Sequence, residues 1–114
     1  MKAVCTNCHS QPFVERQYAM ADSVTILVNA KVRAARTIIE GLVKDGVITS
    51  KPFASKISFD AFDLWHYYGR TAKFGAYMQG PDFVQWHGIY PLLKQLNAVE
   101  EDARLLRERR ARGK

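Results

Sequence analysis

Cys5, Cys8 and His9 are the residues whose types and spacing can do chemistry in this 114-residue chain. Two thiols separated by Thr6 and Asn7, with an imidazole immediately after, form the signal for covalent attachment of haem c. A two-residue gap lets one tight turn present both sulfurs to the two vinyl groups on one porphyrin edge. His9 can then offer a ring nitrogen as the proximal iron ligand. Two other chemistries use a Cys-x-x-Cys pair. A zinc site needs two further ligands, but the chain has no other cysteine, and His66 and His87 lie far away in sequence. A thioredoxin-like pair needs a preceding strand, for which only Met1 to Val4 is available.

The elements that position this turn read as helices. Pro12 suits a first helical turn, with Ser10 or Gln11 as its cap. From Phe13 to Leu42, apolar residues including Tyr18, Met20, Val24, Leu27, Val28, Val32, Ala35 and Ile38 recur mostly at steps of three, four and seven. The pattern stops at Asp45-Gly46, which predicts a helix of roughly 30 residues, about 45–50 Å long. A helix of that length calls for a second long helix beside it. Ser58 is the expected cap of a second helix over 59–79, ended by Gly80-Pro81. Its apolar stripe is Phe62, Trp65, His66, Gly69, Ala72 and Ala76. Asp82 is the expected cap of a third, with a kink or restart near Ile89 caused by Gly88 and Pro91. The fold class is all-α: a haem-binding turn (residues 1–10), then a helical region (11–114) with one long, one medium and one long kinked helix.

Composition narrows the partners. The net charge of +6 is concentrated after Ala103 in a run of arginines that reads as a solvated helix end. No aromatic residue interleaves with them, so nucleic-acid stacking has no platform. No apolar run approaches a membrane span. Covalent haem attachment takes place outside the cytoplasm, which predicts a periplasmic or otherwise exported protein. Met1 to Val4 has no room for an export signal, so either the signal has been removed from this sequence or the chain is one portion of a longer polypeptide. A second axial ligand for a low-spin haem comes from His66 or His87, each directly after a tryptophan, and the alternative for each is a buried structural histidine.

Three segments carry a family resemblance: Val4 to Ser10 (VCTNCHS), Leu64 to Ala72 (LWHYYGRTA) and Gly75 to Tyr90 (GAYMQGPDFVQWHGIY). They resemble the C-terminal part of octahaem cytochromes c related to hydroxylamine oxidoreductase. The resemblance implies further haems on a remaining multihaem chain or companion subunit, a homotrimer in which C-terminal helices meet, and electron-transfer partners. It also implies redox chemistry on small nitrogen compounds. Hydroxylamine-oxidising members carry a tyrosine crosslinked to a neighbouring subunit's catalytic haem, and Phe83 stands at the aligned position here, with Tyr77 or Tyr90 as the counterpart under a shifted alignment. A phenylalanine implies the reductive direction, on nitrite or hydroxylamine, with Phe83 near the neighbour's catalytic haem and no catalytic residue in this segment. The alternative function is a non-catalytic electron-transfer cytochrome c subunit.

Overall fold

The computed structural model describes residues 1–113. A short helical turn α1 (Lys2–Cys5) leads into the 34-residue α2 (Gln11–Lys44). Next come α3 (Lys56–Asp63), a π-helical turn (Leu64–Gly69) and α4 (Arg70–Tyr77). The chain closes with α5 (Pro81–Phe83), a second π-helical turn (Val84–Ile89) and α6 (Tyr90–Arg112). The segments from α3 to α4 and from α5 to α6 are each one continuous rod, so with α2 the architecture is three rods in up-down-up order, all helical as expected. Gln17 at the start of α2 donates to the Ala76 carbonyl at 2.9 Å, while Lys56 meets Asp102 at 2.8 Å, which fixes the second rod antiparallel to the other two. The bundle measures 66 × 22 × 19 Å.

The long helix begins and ends where the sequence dictates. Ser10 adopts an extended backbone and its Oγ accepts from Phe13 N–H at 3.4 Å, satisfying one orphan donor of the first turn. At the other end Gly46 takes a φ of 63°, Gly46 N–H donates to Val43 O and Val47 N–H to Leu42 O. This pairing of the last carbonyls requires a left-handed residue, which glycine supplies without a Cβ penalty. Between these ends the buried residues are Val14, Ala21, Val28, Ala35 and Leu42, one every seventh position. That spacing is the seam of a coiled-coil-like helix, whose buried side keeps facing its partners over the full length.

The second and third rods cover that seam. Ile57, Leu64, Ala72, Leu92, Leu96, Val99 and Ala103 join Val28, Ala35 and Leu42 in one apolar core, while Ala21, Ala76 and Val84 form a smaller one near the α2 N-terminus. The two π turns sit where the rods come closest. A Cβ on Gly88 would lie 2.6 Å from the Ala72 Cα and Cβ, and one on Gly69 would lie 3.1 Å from Val28 Cγ1. In the second rod the buried positions step by seven from Ile57 to Leu64, then by five to Gly69, because a π turn holds one more residue than an α turn.

Several expectations need correction. The second helix starts at Lys56 after Ser55, not at Phe59 after Ser58, since burial of Ile57 and pairing of Lys56 with Asp60 and Asp102 extend it backwards. Its helical structure ends at Tyr77 rather than Gln79, because Gln79 takes a left-handed φ of 59°. Gly80, not Asp82, precedes the third rod, and Asp82 lies within its first turn. No break occurs near Ile89. The wide second π turn carries the helix on through Pro91, which has no N–H to lose there. Trp65 and His66 leave the predicted buried stripe and are exposed, as are Phe13, Met20 and Leu27 on α2. The arginine run is not merely a solvated end: Arg110 donates to the Gly46 carbonyl and Arg107 approaches Asp45 at 3.8 Å, placing cations at the negative end of α2.

Gly88→Ala should lower the unfolding free energy by about 2 kcal/mol or more, since its Cβ meets backbone that cannot rotate away. Gly113→Ala, whose nearest neighbours would be at ordinary contact distance, should be close to neutral. Denaturant unfolding followed by far-UV circular dichroism checks the pair, and equal midpoints would contradict the close approach of the rods.

Candidate haem-attachment site

The attachment turn is built almost entirely from local backbone bonds. The Cys5 carbonyl accepts from both Cys8 N–H, at 3.2 Å, and His9 N–H, at 2.9 Å, so the three functional residues are tied to one acceptor. Thr6 Oγ1 donates to Ala3 O at 2.9 Å, and Asn7 N–H to Val4 O, which closes the preceding turn. Ser10 then turns the chain into α2. The Lys2 ammonium lies 4.9 Å from the Tyr18 ring centroid and fastens α1 to α2. Cys5 is half-buried, Cys8 is exposed, and neither is in a disulfide. The His9 ring is exposed and stacks on Phe13, centroids 4.8 Å apart and planes 21° from parallel.

This constellation fits a haem c. Two reachable thiols and an open imidazole lie within five residues, and Met1, Val4 and Phe13 expose apolar surface around them. A flat apolar macrocycle would cover such surface. Among the described residues, no group of three or more His, Cys, Asp or Glu converges as an ion site, so the zinc reading lacks its further ligands.

His66 and His87 are not gathered with this turn. Each lies in a π turn and packs against the phenylalanine four residues earlier: Phe62 and His66 are stacked with centroids 4.7 Å apart, and Phe83 and His87 are tilted by 33° with centroids 5.0 Å apart. Arg70 lies 3.3 Å from His66 Nε2, where its guanidinium donates and the ring nitrogen accepts. Gly69, beside the first π turn's histidine, packs on Val28 and Val32. That level is about 25 Å along α2 from its start at 1.5 Å per residue. His66 is thus well separated along the bundle from His9 of the same chain. His66 and His87 are both exposed rather than buried structural histidines. His87 lines a cleft of about 420 Å³ with Tyr67, Tyr68, Phe83 and Trp86. The Phe83 ring rests on Gly75, where a Cβ would come within 2.9 Å of it.

Sequence reasoning missed three features. The contact of each histidine with a phenylalanine was legible in the i±4 spacing. The π turns were not, although each holds a Trp-His pair followed closely by glycine. The third is a bond between rods: the Tyr77 hydroxyl donates to the Asp22 carboxylate, with the Tyr18 ring 6.2 Å from that of Tyr77. Tyr77 is thus engaged by its own chain, whereas Tyr90 is exposed beside Trp86. The hydrogen bond to Asp22 raises the Tyr77 phenol above its ordinary range, with burial and the carboxylate's charge adding to it. In the same way Asp102 and then Asp60 hold the Lys56 ammonium above the usual lysine range.

Residues 1–54 match the family model described as "Seven times multi-haem cytochrome CxxCH". The match takes in the attachment turn and the whole of α2, slightly under half the chain, and it supports a multihaem c-type cytochrome with haem c covalently bound in this segment. No curated protein and no solved structure matches the chain. Among the described residues no helix is long and apolar enough to cross a membrane.

A phenol whose folded pKa is raised contributes stability that is fully present below the unfolded tyrosine value, about pH 10, and is lost as pH rises through the higher folded value. Alkaline titration followed by tyrosinate absorbance should therefore show Tyr77 ionising late among the five tyrosines. Asp22→Asn should bring that step into the ordinary range; superimposable curves would contradict the bond.

Proposed function

We propose that this segment holds an electron-transfer haem of a multihaem cytochrome that acts reductively on small nitrogen compounds such as nitrite or hydroxylamine. The observation that carries the haem assignment is the turn itself, with Cys5, Cys8 and His9 tied to one carbonyl and open to solvent. When bound, the haem supplies a reversible one-electron iron couple. Cys5 and Cys8 hold it by adding their S–H bonds across two vinyl groups, with no atom lost. His9 presents a ring nitrogen to the iron, and Phe13 fixes the plane of that ring. Thioether anchoring also fits an extracytoplasmic location, where such bonds are made.

The reductive direction is supported by Phe83, which offers no phenolic oxygen for a crosslink, and by Tyr77, whose hydroxyl is bonded within the chain. His66 and His87 are proposed as distal ligands to irons other than the one at His9, carried by the rest of the protein or by another subunit. Their exposure and their ring contacts with Phe62 and Phe83 support that role. A homotrimer is supported by Phe13, Met20 and Leu27, exposed apolar residues that repeat every seven positions along α2. A second reading, a subunit that only relays electrons, is favoured by the family match lying on the attachment turn and first rod without reaching the Phe83 cleft.

The complete holoprotein should reduce hydroxylamine or nitrite with a low-potential dye as donor, and mass spectrometry of peptides spanning 74–94 should find no haem adduct on tyrosine. A tyrosine–haem adduct there would sink the reductive assignment, and full inertness toward both substrates would favour the relay. Separately, His66→Ala and His87→Ala should each convert one low-spin haem of the holoprotein to an open or solvent-ligated one by electron paramagnetic resonance. Unchanged spectra in both variants would remove the ligand proposal.

A further inference from the structure

We propose that Tyr77 and Asp22 form a proton-coupled redox pair, linked by Tyr18 to the haem-attachment turn, which gives up one electron when peroxide oxidises the haem. The inference rests on the haem being held at Cys5 and Cys8. A tyrosine yields an electron readily only if its phenolic proton leaves at the same time, because the protonated radical is a very strong acid. Tyr77 has the acceptor in place: its hydroxyl donates to Asp22 Oδ1 across the α2–α4 interface. Tyr18 lies one helical turn before Asp22 on α2, with its ring edge-on to that of Tyr77 at 6.2 Å. Above Tyr18 sits the Lys2 ammonium, 4.9 Å from the ring centroid, and Lys2 shares the four-residue α1 with Cys5. The groups thus run in sequence from the attachment turn to Asp22.

The charges give the path a direction. A cation over the Tyr18 face disfavours positive charge on that ring. Among the described residues no carboxylate bonds its hydroxyl, so Tyr18 serves as a transient relay. The oxidising equivalent settles on Tyr77, where Asp22 takes the proton.

Hydrogen peroxide accepts two electrons and two protons and leaves as two waters. One electron comes from the reduced haem iron and one from Tyr77. The Tyr77 O–H bond breaks, its proton passes through Asp22 to solvent, and a second proton comes from solvent. The function is protective: the second oxidising equivalent ends on a phenol some distance from the porphyrin rather than on the macrocycle or its thioethers.

The test takes holoprotein poised with a single reducing equivalent per chain, mixes it with one equivalent of hydrogen peroxide, freeze-quenches it and records the electron paramagnetic resonance spectrum. Wild type should give a tyrosyl radical whose yield falls at least tenfold in Tyr77→Phe and in Asp22→Asn, although the latter keeps the phenol. Tyr18→Phe should slow its appearance, and haem bleaching under repeated peroxide should quicken several-fold in Tyr77→Phe. A parallel arm uses photogenerated tris(bipyridine)ruthenium(III), which needs no haem. Loss of the Asp22 dependence in that arm overturns the pair whatever the haem content. A radical with ruthenium but none with peroxide overturns the relay from the haem. Matching circular dichroism of the variants excludes misfolding as the cause.

Discussion

The arrangement of every chemically interesting residue depends on a single seam along α2. Val14, Ala21, Val28, Ala35 and Leu42 are buried at intervals of seven, and no charged or polar side chain is buried among them. With that spacing, the helix keeps the same side toward its neighbours for its whole length, where a 3.6-residue repeat would drift away. Two rods can therefore lie along it from end to end. Small alanines at 21 and 35 alternate along it with the larger Val14, Val28 and Leu42. An elongated bundle follows, with the attachment turn at one end and the arginine-capped terminus of α2 at the other. The bonds of the turn are local, and it is fastened to α2 by Lys2 on Tyr18 and by His9 on Phe13.

The seam also explains the π turns. A third rod seated on α2 and on the second rod brings Gly88 against the Ala72 backbone, and Gly69 against Val28. Two rods this close leave no room for the side chains that an unbroken α repeat would turn inward. The extra residue in each π turn shifts the buried face by one position, and Trp65-His66 and Trp86-His87 swing to the outside. Wide turns of this kind are common at functional positions because they re-aim a side chain without ending the helix. Here they display an imidazole next to an indole in the sequence twice, each imidazole packed against a phenylalanine. Gly69, in the first of these turns, packs on Val28, well along α2 from its first residue.

Much of this was legible from the residues. The Cys5-to-His9 spacing, the Ser10 cap and the Asp45-Gly46 stop each have a local cause, and local causes can be read from a sequence. The length of α2 was legible because its repeat is unbroken. What escaped were the features fixed by contact between rods. Nothing local distinguishes the buried Val14 and Ala21 from the exposed Phe13 and Met20, since both sets repeat every seven residues. Gly88 and Pro91 looked like helix breakers because the π turn that accommodates them is set by the distant Ala72. The Lys56 start and the Tyr77–Asp22 bond depend on partners far away in sequence. For the candidate site, Cys5, Cys8 and His9 came together as expected, while the placement of His66 and His87 had to come from the fold.

The central claim is that haem is held covalently at Cys5 and Cys8 of this segment. Trypsin cleavage after Lys2 and Arg16 releases the peptide from Ala3 to Arg16, which contains both cysteines and His9. Mass spectrometry of that peptide from native protein, digested after treatment with a thiol-alkylating reagent, tests the claim most directly. The account predicts a peptide carrying the mass of one haem and resisting alkylation at both sulfurs. A peptide of unmodified mass that takes up two alkyl groups would contradict it.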